Sequence, residues 1–100
     1  MNLQSQNWPQ TIWKFPIKSI GNDALEMPLG ASVLTVQVQN EIPVIWARVD
    51  PEQPKVRRRV WIAVTGGRIE LPVIEDSDYI GTFQLHDGRF VGHVFLGRER

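Results

Sequence analysis

The chain has 100 residues, with 11 Lys and Arg against 11 Asp and Glu, 42% hydrophobic residues and no cysteine. This length fits a single domain over residues 1–100 with one hydrophobic core. The zero net charge excludes the basic excess of proteins that bind nucleic acids in general. The lack of cysteine excludes disulfides, thiolate nucleophiles and cysteine-based metal sites.

The N-terminal residues lack the basic segment and apolar run of a signal peptide. We expect residues 1–8 to form a loose tail. No apolar stretch approaches the roughly 18 residues that a membrane helix needs. The sequence therefore predicts a soluble, cytoplasmic protein without a membrane partner.

The composition favours strands. Val, Ile and Thr supply 24 residues and Ala only four, and β-branched side chains pack well on a pleated sheet. No window repeats apolar residues at helical spacing, so no helix is predicted. Six strands are predicted over Thr11–Ser19, Val33–Asn40, Ile42–Val49, Val56–Thr65, Tyr79–Leu85 and Arg89–Leu96, with two shorter extended segments at Ala24–Met27 and Arg68–Leu71. The fold class is all-β, a small antiparallel sandwich or barrel of about six to eight short strands.

Alternation along the strands predicts which side chains share a face. The predicted sets are Leu34, Val36 and Val38 on one strand, and Tyr79, Phe83 and Leu85 on another. Trp46 is expected in the core, and Arg58 near the rim, because an unpaired buried arginine is costly. Gly81 and Gly92 lie inside strands and indicate a bulge, a bend or a close backbone approach.

Two hairpins are predicted from the connections between strands. Asn40-Glu41 joins the strands Val33–Asn40 and Ile42–Val49. Asp87-Gly88, a dipeptide that tight turns with positive φ prefer, joins the last two strands.

Several motifs follow one another along the chain. They are Ile12-Trp13-Lys14-Phe15, Met27-Pro28-Leu29-Gly30-Ala31, Val33-Leu34, Gln37, Gln39-Asn40, Ile45-Trp46-Ala47, Val49-Asp50, Thr65-Gly66, Tyr79-Ile80-Gly81-Thr82, and Val91 with His93-Val94-Phe95. Together they resemble a family of small uncharacterised all-β proteins encoded mainly by bacteriophages and prophages. The resemblance covers about residues 11–96.

This resemblance implies a phage setting and the cytoplasm of the host cell. Small phage proteins often regulate host machinery or block host defence. The resemblance carries no functional residue across. Thr65-Gly66-Gly67 departs from the family pattern, which has a polar residue or His after Thr-Gly, so a site in this loop would differ in detail.

Catalytic and metal-binding patterns are weak. His86 precedes a turn, and His93 is interpreted as a hydrogen-bonded structural residue, with a general base as the alternative. None of the four serines lies in a recognisable nucleophile turn. The acidic run Glu75–Asp78 lacks the spacing of a calcium loop, and two histidines make a poor zinc site. We therefore expect no enzyme, no catalytic residues, no metal and no cofactor.

Anion binding is the more informative possibility. Alternation places Arg57 and Arg59 on the same face as Trp61 and Thr65, and arginine pairs bidentately with phosphate. Glycines after the strand expose backbone amides that can cradle a phosphate. The predicted ligand-binding residues are Arg57, Arg59, Trp61, Thr65, Gly66, Gly67 and Arg68. The alternative is a charged face that discourages strand aggregation or pairs with Glu70, Glu75 and Asp76.

The sequence thus favours a non-catalytic phage-type binding protein. It would sequester a phosphorylated small molecule, such as a signalling nucleotide, to counter host defence. The alternative is a protein–protein inhibitor or structural accessory protein that acts through an exposed Trp/Arg face, since this pair is enriched at interface hot spots. The expected partners are the phosphorylated small molecule or a host protein, and a homo-oligomer is also expected.

Overall fold

The computed structural model describes residues 9–19 and 23–99. The tail predicted for residues 1–8 lies outside the described residues. The described part contains seven strands and one helix. They are β1 Thr11–Pro16, β2 Asp23–Pro28, β3 Ser32–Gln39, β4 Ile42–Val49, β5 Lys55–Val64, α1 Leu71–Asp76, β6 Ser77–Leu85 and β7 Phe90–Gly97.

The strands form two antiparallel sheets. One sheet has the order β1-β4-β3 and the other has the order β2-β5-β7-β6. Side chains from the inner faces of both sheets form one core, so the predicted all-β sandwich is confirmed. The core consists of Ile17, Met27, Val36, Ile45, Ala47, Val49, Val60, Phe83, Val94 and Leu96.

Both predicted hairpins are present. Asn40 and Glu41 each adopt positive φ, at 53° and 67°, which is the geometry of a two-residue turn that matches strand twist. The β6–β7 turn places His86, Asp87 and Gly88 at positive φ. These turns set the antiparallel register of β3 with β4 and of β6 with β7.

A bulge in β3 changes which side chains face the core. The register with β4 shifts between Val33 and Thr35, so Leu34 is the inserted residue. Leu34 is consequently exposed, whereas Val36 is buried. Val38 is also partly exposed near the end of the strand. The prediction that Leu34 shares a face with Val36 and Val38 is therefore wrong, because the inserted residue interrupts the alternation. Val36 and Val38 follow in regular register and share a face, as predicted.

A second bulge lies in β6. The register with β7 shifts between Tyr79 and Gly81, so Ile80 is inserted. Tyr79 is 57% exposed, whereas Phe83 is buried. The prediction that these two aromatic residues share a face is wrong for the same physical reason.

Gly81 and Gly92 mark close packing, as predicted. A Cβ atom at Gly81 would lie 2.9 Å from Cγ2 of Val36, which shows how closely β6 approaches β3. A Cβ atom at Gly92 would lie 2.6 Å from Cζ of Phe83. Both positions therefore exclude a side chain.

The segment after β5 differs from its prediction. Residues 68–70 are irregular and Leu71–Asp76 is the helix α1, so the extended segment Arg68–Leu71 and the absence of a helix were both wrong predictions. Pro72 lies in the first turn, where its missing N–H costs little. The helix has only six residues and buries only Val73. Six residues are too few to show the apolar periodicity by which a helix is recognised in a sequence.

Two further expectations are corrected. Arg58 is only 9% exposed, because its Nε donates to the carbonyl oxygen of Gly97 at 2.8 Å. Burial lowers the pKa of Arg58 below its ordinary value, and the nearby carboxylates of Glu99 and Asp78 raise it. Trp46 is half-buried on the outer face of the three-stranded sheet, outside the core cluster.

Candidate functional site

The outer face of the four-stranded sheet carries the residues of interest. Alternation along β5 points Arg57, Arg59 and Trp61 away from the core, between the inward-facing Arg58 and Val60. This face is only partly covered, unlike the inner one. It is therefore the face on which a ligand can contact β5.

A pocket of about 230 Å³ lies on this face. Helix α1 borders one side, and the end of β7 borders the other. The lining residues are Arg57, Arg59, Trp61, Pro72, Asp76, Gly97 and Arg98. Three guanidinium groups thus face one carboxylate, which makes the pocket a net positive site.

Arg59 and Trp61 form a stacked pair within the pocket. The guanidinium carbon of Arg59 lies 5.0 Å from the Trp61 ring centroid, within the range of a cation–π contact. A Cβ atom at Gly97 would lie 3.4 Å from Cζ3 of Trp61 and 3.3 Å from the backbone of Arg59. Because Gly97 has no side chain, the indole of Trp61 can pack closely against the backbone of β7.

Arg98 is fixed by several partners. Its Nη1 donates to the carbonyl oxygen of Glu75 at 2.5 Å, and its Nη2 contacts the Asp78 carboxylate at 3.0 Å. Its backbone N–H donates to the carbonyl oxygen of Asp76 at 3.1 Å. Arg98 thus ties the end of α1 to β7 and brings a third guanidinium to the pocket.

Arg57 faces Glu26 of β2 across the strand pair. Its side chain makes no hydrogen bond or ion pair with another described residue, although Glu26 is its cross-strand neighbour. A ligand phosphate could therefore engage the Arg57 side chain without displacing a partner among residues 9–19 and 23–99. This distinguishes Arg57 from Arg98.

A separate polar chain lies farther along the same face. The Thr65 hydroxyl contacts Nε2 of His93 at 2.7 Å, and Nδ1 of His93 contacts the Thr82 hydroxyl at 2.9 Å. The Thr82 hydroxyl also contacts the Tyr79 hydroxyl at 2.6 Å. His93 therefore contacts one hydroxyl group at each ring nitrogen.

The predicted ligand-binding set divides into two groups. Arg57, Arg59 and Trp61 come together in the pocket. Thr65 lies six residues beyond Arg59, about 20 Å along the strand at roughly 3.3 Å per residue. Gly66, Gly67 and Arg68 continue from Thr65 into an exposed turn in which the Gly67 N–H donates to Val64, so they do not line the pocket.

The predicted ligand-binding set did not contain the other pocket residues, Pro72, Asp76, Gly97 and Arg98, although Asp76 was named as a possible partner of the arginine face. Asp76 belongs to the acidic run that was considered for metal binding, and its position on a helix end was not foreseen. Arg98 reaches the pocket from far along the chain. No local signal links it to β5, because the pairing of β5 with β7 brings the two together.

Residues 9–19 and 23–99 contain no group of three or more His, Asp or Glu side chains placed to hold a metal ion. Within the same ranges, no helix has the length and apolar character needed to cross a membrane.

The fold and the pocket define a small antiparallel β-sandwich domain with an arginine-lined cavity on one outer face. Residues 9–100 match the family described as a domain of unknown function, DUF7352, and the chain belongs to this family. No curated protein and no solved structure matches the chain significantly.

Proposed function

We propose that this protein is a non-catalytic binding protein that captures a phosphorylated small molecule, in particular a nucleotide. One observation carries the proposal. The side chains of Arg57, Arg59 and Arg98 converge on one pocket that also contains the indole of Trp61. Guanidinium groups pair bidentately with phosphate oxygens, and they stack on aromatic rings and bases.

The size of the pocket limits which part of a ligand it can enclose. Its volume of about 230 Å³ is below the roughly 300–1,000 Å³ of common ligand pockets. It accommodates a phosphate group and part of what is attached to it, while the rest of the ligand extends over the open sheet. Among the described lining residues, Asp76 is the only candidate general base, and none is a hydroxyl or thiol nucleophile. Capture without chemical change fits this lining.

Calorimetric titration tests the proposal. Inorganic phosphate, ribose 5-phosphate and adenosine 5′-monophosphate are titrated into the wild-type protein. At least one should bind more tightly than about 1 mM, roughly −4 kcal/mol, and binding should weaken as salt rises. Failure of all three to reach that affinity would overturn the proposal.

Matched variants locate the site. Arg59→Ala should weaken phosphate binding at least tenfold, about 1.4 kcal/mol. Arg48→Ala removes the same charge from an exposed position on β4 of the opposite sheet and should leave binding unchanged. Equal losses in both variants would indicate a general charge effect instead of a site.

The biological role that we attach to this binding is sequestration in the cytoplasm of a phage-infected host. It is supported by the motif resemblance to phage-encoded proteins and by the pocket. Expression of the wild type should raise plaque formation in a host whose defence depends on a nucleotide signal. The Arg59→Ala variant should not. Equal plaque counts with and without the wild-type protein would contradict this role.

A protein partner is the second candidate. Leu71 and Ile74, three residues apart on one side of α1, are 64% and 58% exposed. A host protein or a second copy of the chain that covers them would bury this exposed apolar pair. Light scattering and pull-down with wild-type and Leu71→Asp baits test this candidate. A monomer that recovers no protein specifically would exclude it.

A further inference from the structure

Three aromatic residues form a row across the four-stranded sheet next to the pocket. Trp61 of β5 is paired in register with Phe95 of β7, and Phe95 is paired with Tyr79 of β6. The Phe95 and Tyr79 rings pack edge to face, with centroids 5.6 Å apart and planes inclined at 62°. The row starts at the pocket and ends near the far edge of the sheet.

Tyr79 is held in place although it is 57% exposed. The inserted Ile80 turns it outward. Its hydroxyl contacts the Thr82 hydroxyl, which in turn contacts Nδ1 of His93. The ring is therefore anchored at one end and by its edge contact with Phe95. An aromatic ring that is already ordered loses little conformational entropy when a flat ligand stacks on it.

Such a row is unusual for a face exposed to water. The outer faces of antiparallel sheets are commonly polar. Aromatic side chains beside arginines are, by contrast, the combination on which successive bases of single-stranded nucleic acids stack.

The distance between Trp61 and Tyr79 indicates how long a ligand must be to contact both rings. Neighbouring strands lie about 4.8 Å apart, so Tyr79 is roughly 10 Å from Trp61 across the sheet. A base attached to a phosphate in the pocket reaches Trp61 and the Arg59 guanidinium. It does not extend across Phe95 to Tyr79, whereas the base of a second nucleotide does.

We propose that Tyr79 is a second base-stacking position and that the preferred ligand contains two nucleotides joined by a phosphodiester. This inference rests on the proposed function, because it places the first phosphate in the arginine pocket. The inference adds that the ligand contains two nucleotides and that Tyr79 contacts the base of the second one.

Calorimetry with two probes tests the inference. The linear dinucleotide 5′-pApA should bind the wild type at least tenfold more tightly than adenosine 5′-monophosphate, in line with the effect of one base–aromatic stack. Tyr79→Ala should abolish that advantage and leave the affinity for the monophosphate unchanged. Tyr79→Phe keeps the ring and should retain most of the advantage.

A second readout does not depend on affinity. Tyr79 is the single tyrosine of the chain, so NMR with tyrosine-labelled protein observes its ring alone. The ring signals should move upfield with 5′-pApA and stay in place with the monophosphate. Thermal unfolding of Tyr79→Ala confirms that the variant is folded.

The outcomes separate the two proposals. If the monophosphate binds and the dinucleotide binds no better, the two-nucleotide inference is overturned and the phosphate pocket remains. If a dinucleotide advantage survives in Tyr79→Ala, the stacking position is wrong. If neither nucleotide binds, the two-nucleotide inference fails, and the proposed function fails with it when inorganic phosphate and ribose 5-phosphate do not bind either.

Discussion

The Nε atom of Arg58 donates a hydrogen bond to the carbonyl oxygen of Gly97, 2.8 Å away. The backbone pairing of β5 with β7 starts at Val60 and Leu96, so the Arg58 side chain satisfies a carbonyl group just outside that ladder. Gly97 meanwhile lines the pocket on the outer face. The buried arginine thus supports the pocket from the inner side of the sheet.

Replacing Arg58 should destabilise the fold. Arg58→Met retains an apolar stem but removes the donor, and the buried Gly97 carbonyl then lacks its partner. We expect the free energy of unfolding to fall by about 1–3 kcal/mol, measured by urea denaturation. Arg57→Met, at the exposed neighbouring position, should change it by no more than about 0.5 kcal/mol. Similar losses in the two variants would contradict the supporting role of Arg58.

The Gly92 position should reject a methyl group. In Gly92→Ala, the new Cβ would lie 2.6 Å from Cζ of Phe83 and 2.9 Å from Cγ2 of Ile62. Overpacking of this kind costs about 1–3 kcal/mol, measurable by denaturant unfolding. Phe83→Leu removes much of the obstructing ring. The double variant should therefore lose less stability than the sum of the single losses; additive losses would show that Phe83 is not the obstruction.

The ion pair between Arg98 and Asp78 should contribute little to stability. Its side chains are 51% and 60% exposed, and exposed pairs contribute about 0.2–1 kcal/mol. Asp78→Asn should therefore unfold at nearly the wild-type urea concentration. Loss of this carboxylate also raises the positive potential near the pocket, so phosphate should bind more tightly. Asp87→Asn at the hairpin tip is the control, and an equal gain there would point to net charge alone.

Ser77 should anchor the short helix. Its hydroxyl donates to the carbonyl oxygen of Val73, and both residues are buried. Ser77→Ala should lower the free energy of unfolding by about 1 kcal/mol and speed hydrogen exchange in α1. Ser32→Ala, exposed at the start of β3, should do neither. Unchanged exchange in Ser77→Ala would show that other contacts hold the helix.

The fold class could be predicted because β-branched composition and period-two alternation act locally. The wrong predictions of which side chains share a face came from local insertions. At Leu34 and Ile80, one additional residue reverses which face the following side chains occupy, and neither sequence pattern shows the insertion. Tyr79 therefore lies on the outer face instead of with Phe83.

The candidate site was predicted in part for a similar reason. Arg57, Arg59 and Trp61 are alternate residues of one strand, so their shared face is visible in the sequence. Arg98 joins them only through strand pairing. Conversely, Thr65 shares their face but lies too far along the chain to reach the pocket. Alternation predicts the face of a side chain and not its distance along the strand.

The close approach of Gly81 to Val36 has a consequence for association between molecules. It brings the edge strands β3 and β6 against each other, which leaves little room for a foreign strand to add there. On the opposite side, the edge strands β1 and β2 end in Pro16 and Pro28, and proline cannot donate to an incoming strand. One side of the sandwich is therefore closed by its own strands, and each edge strand on the other side offers one donor fewer for the edge-to-edge pairing that leads small β-proteins to aggregate.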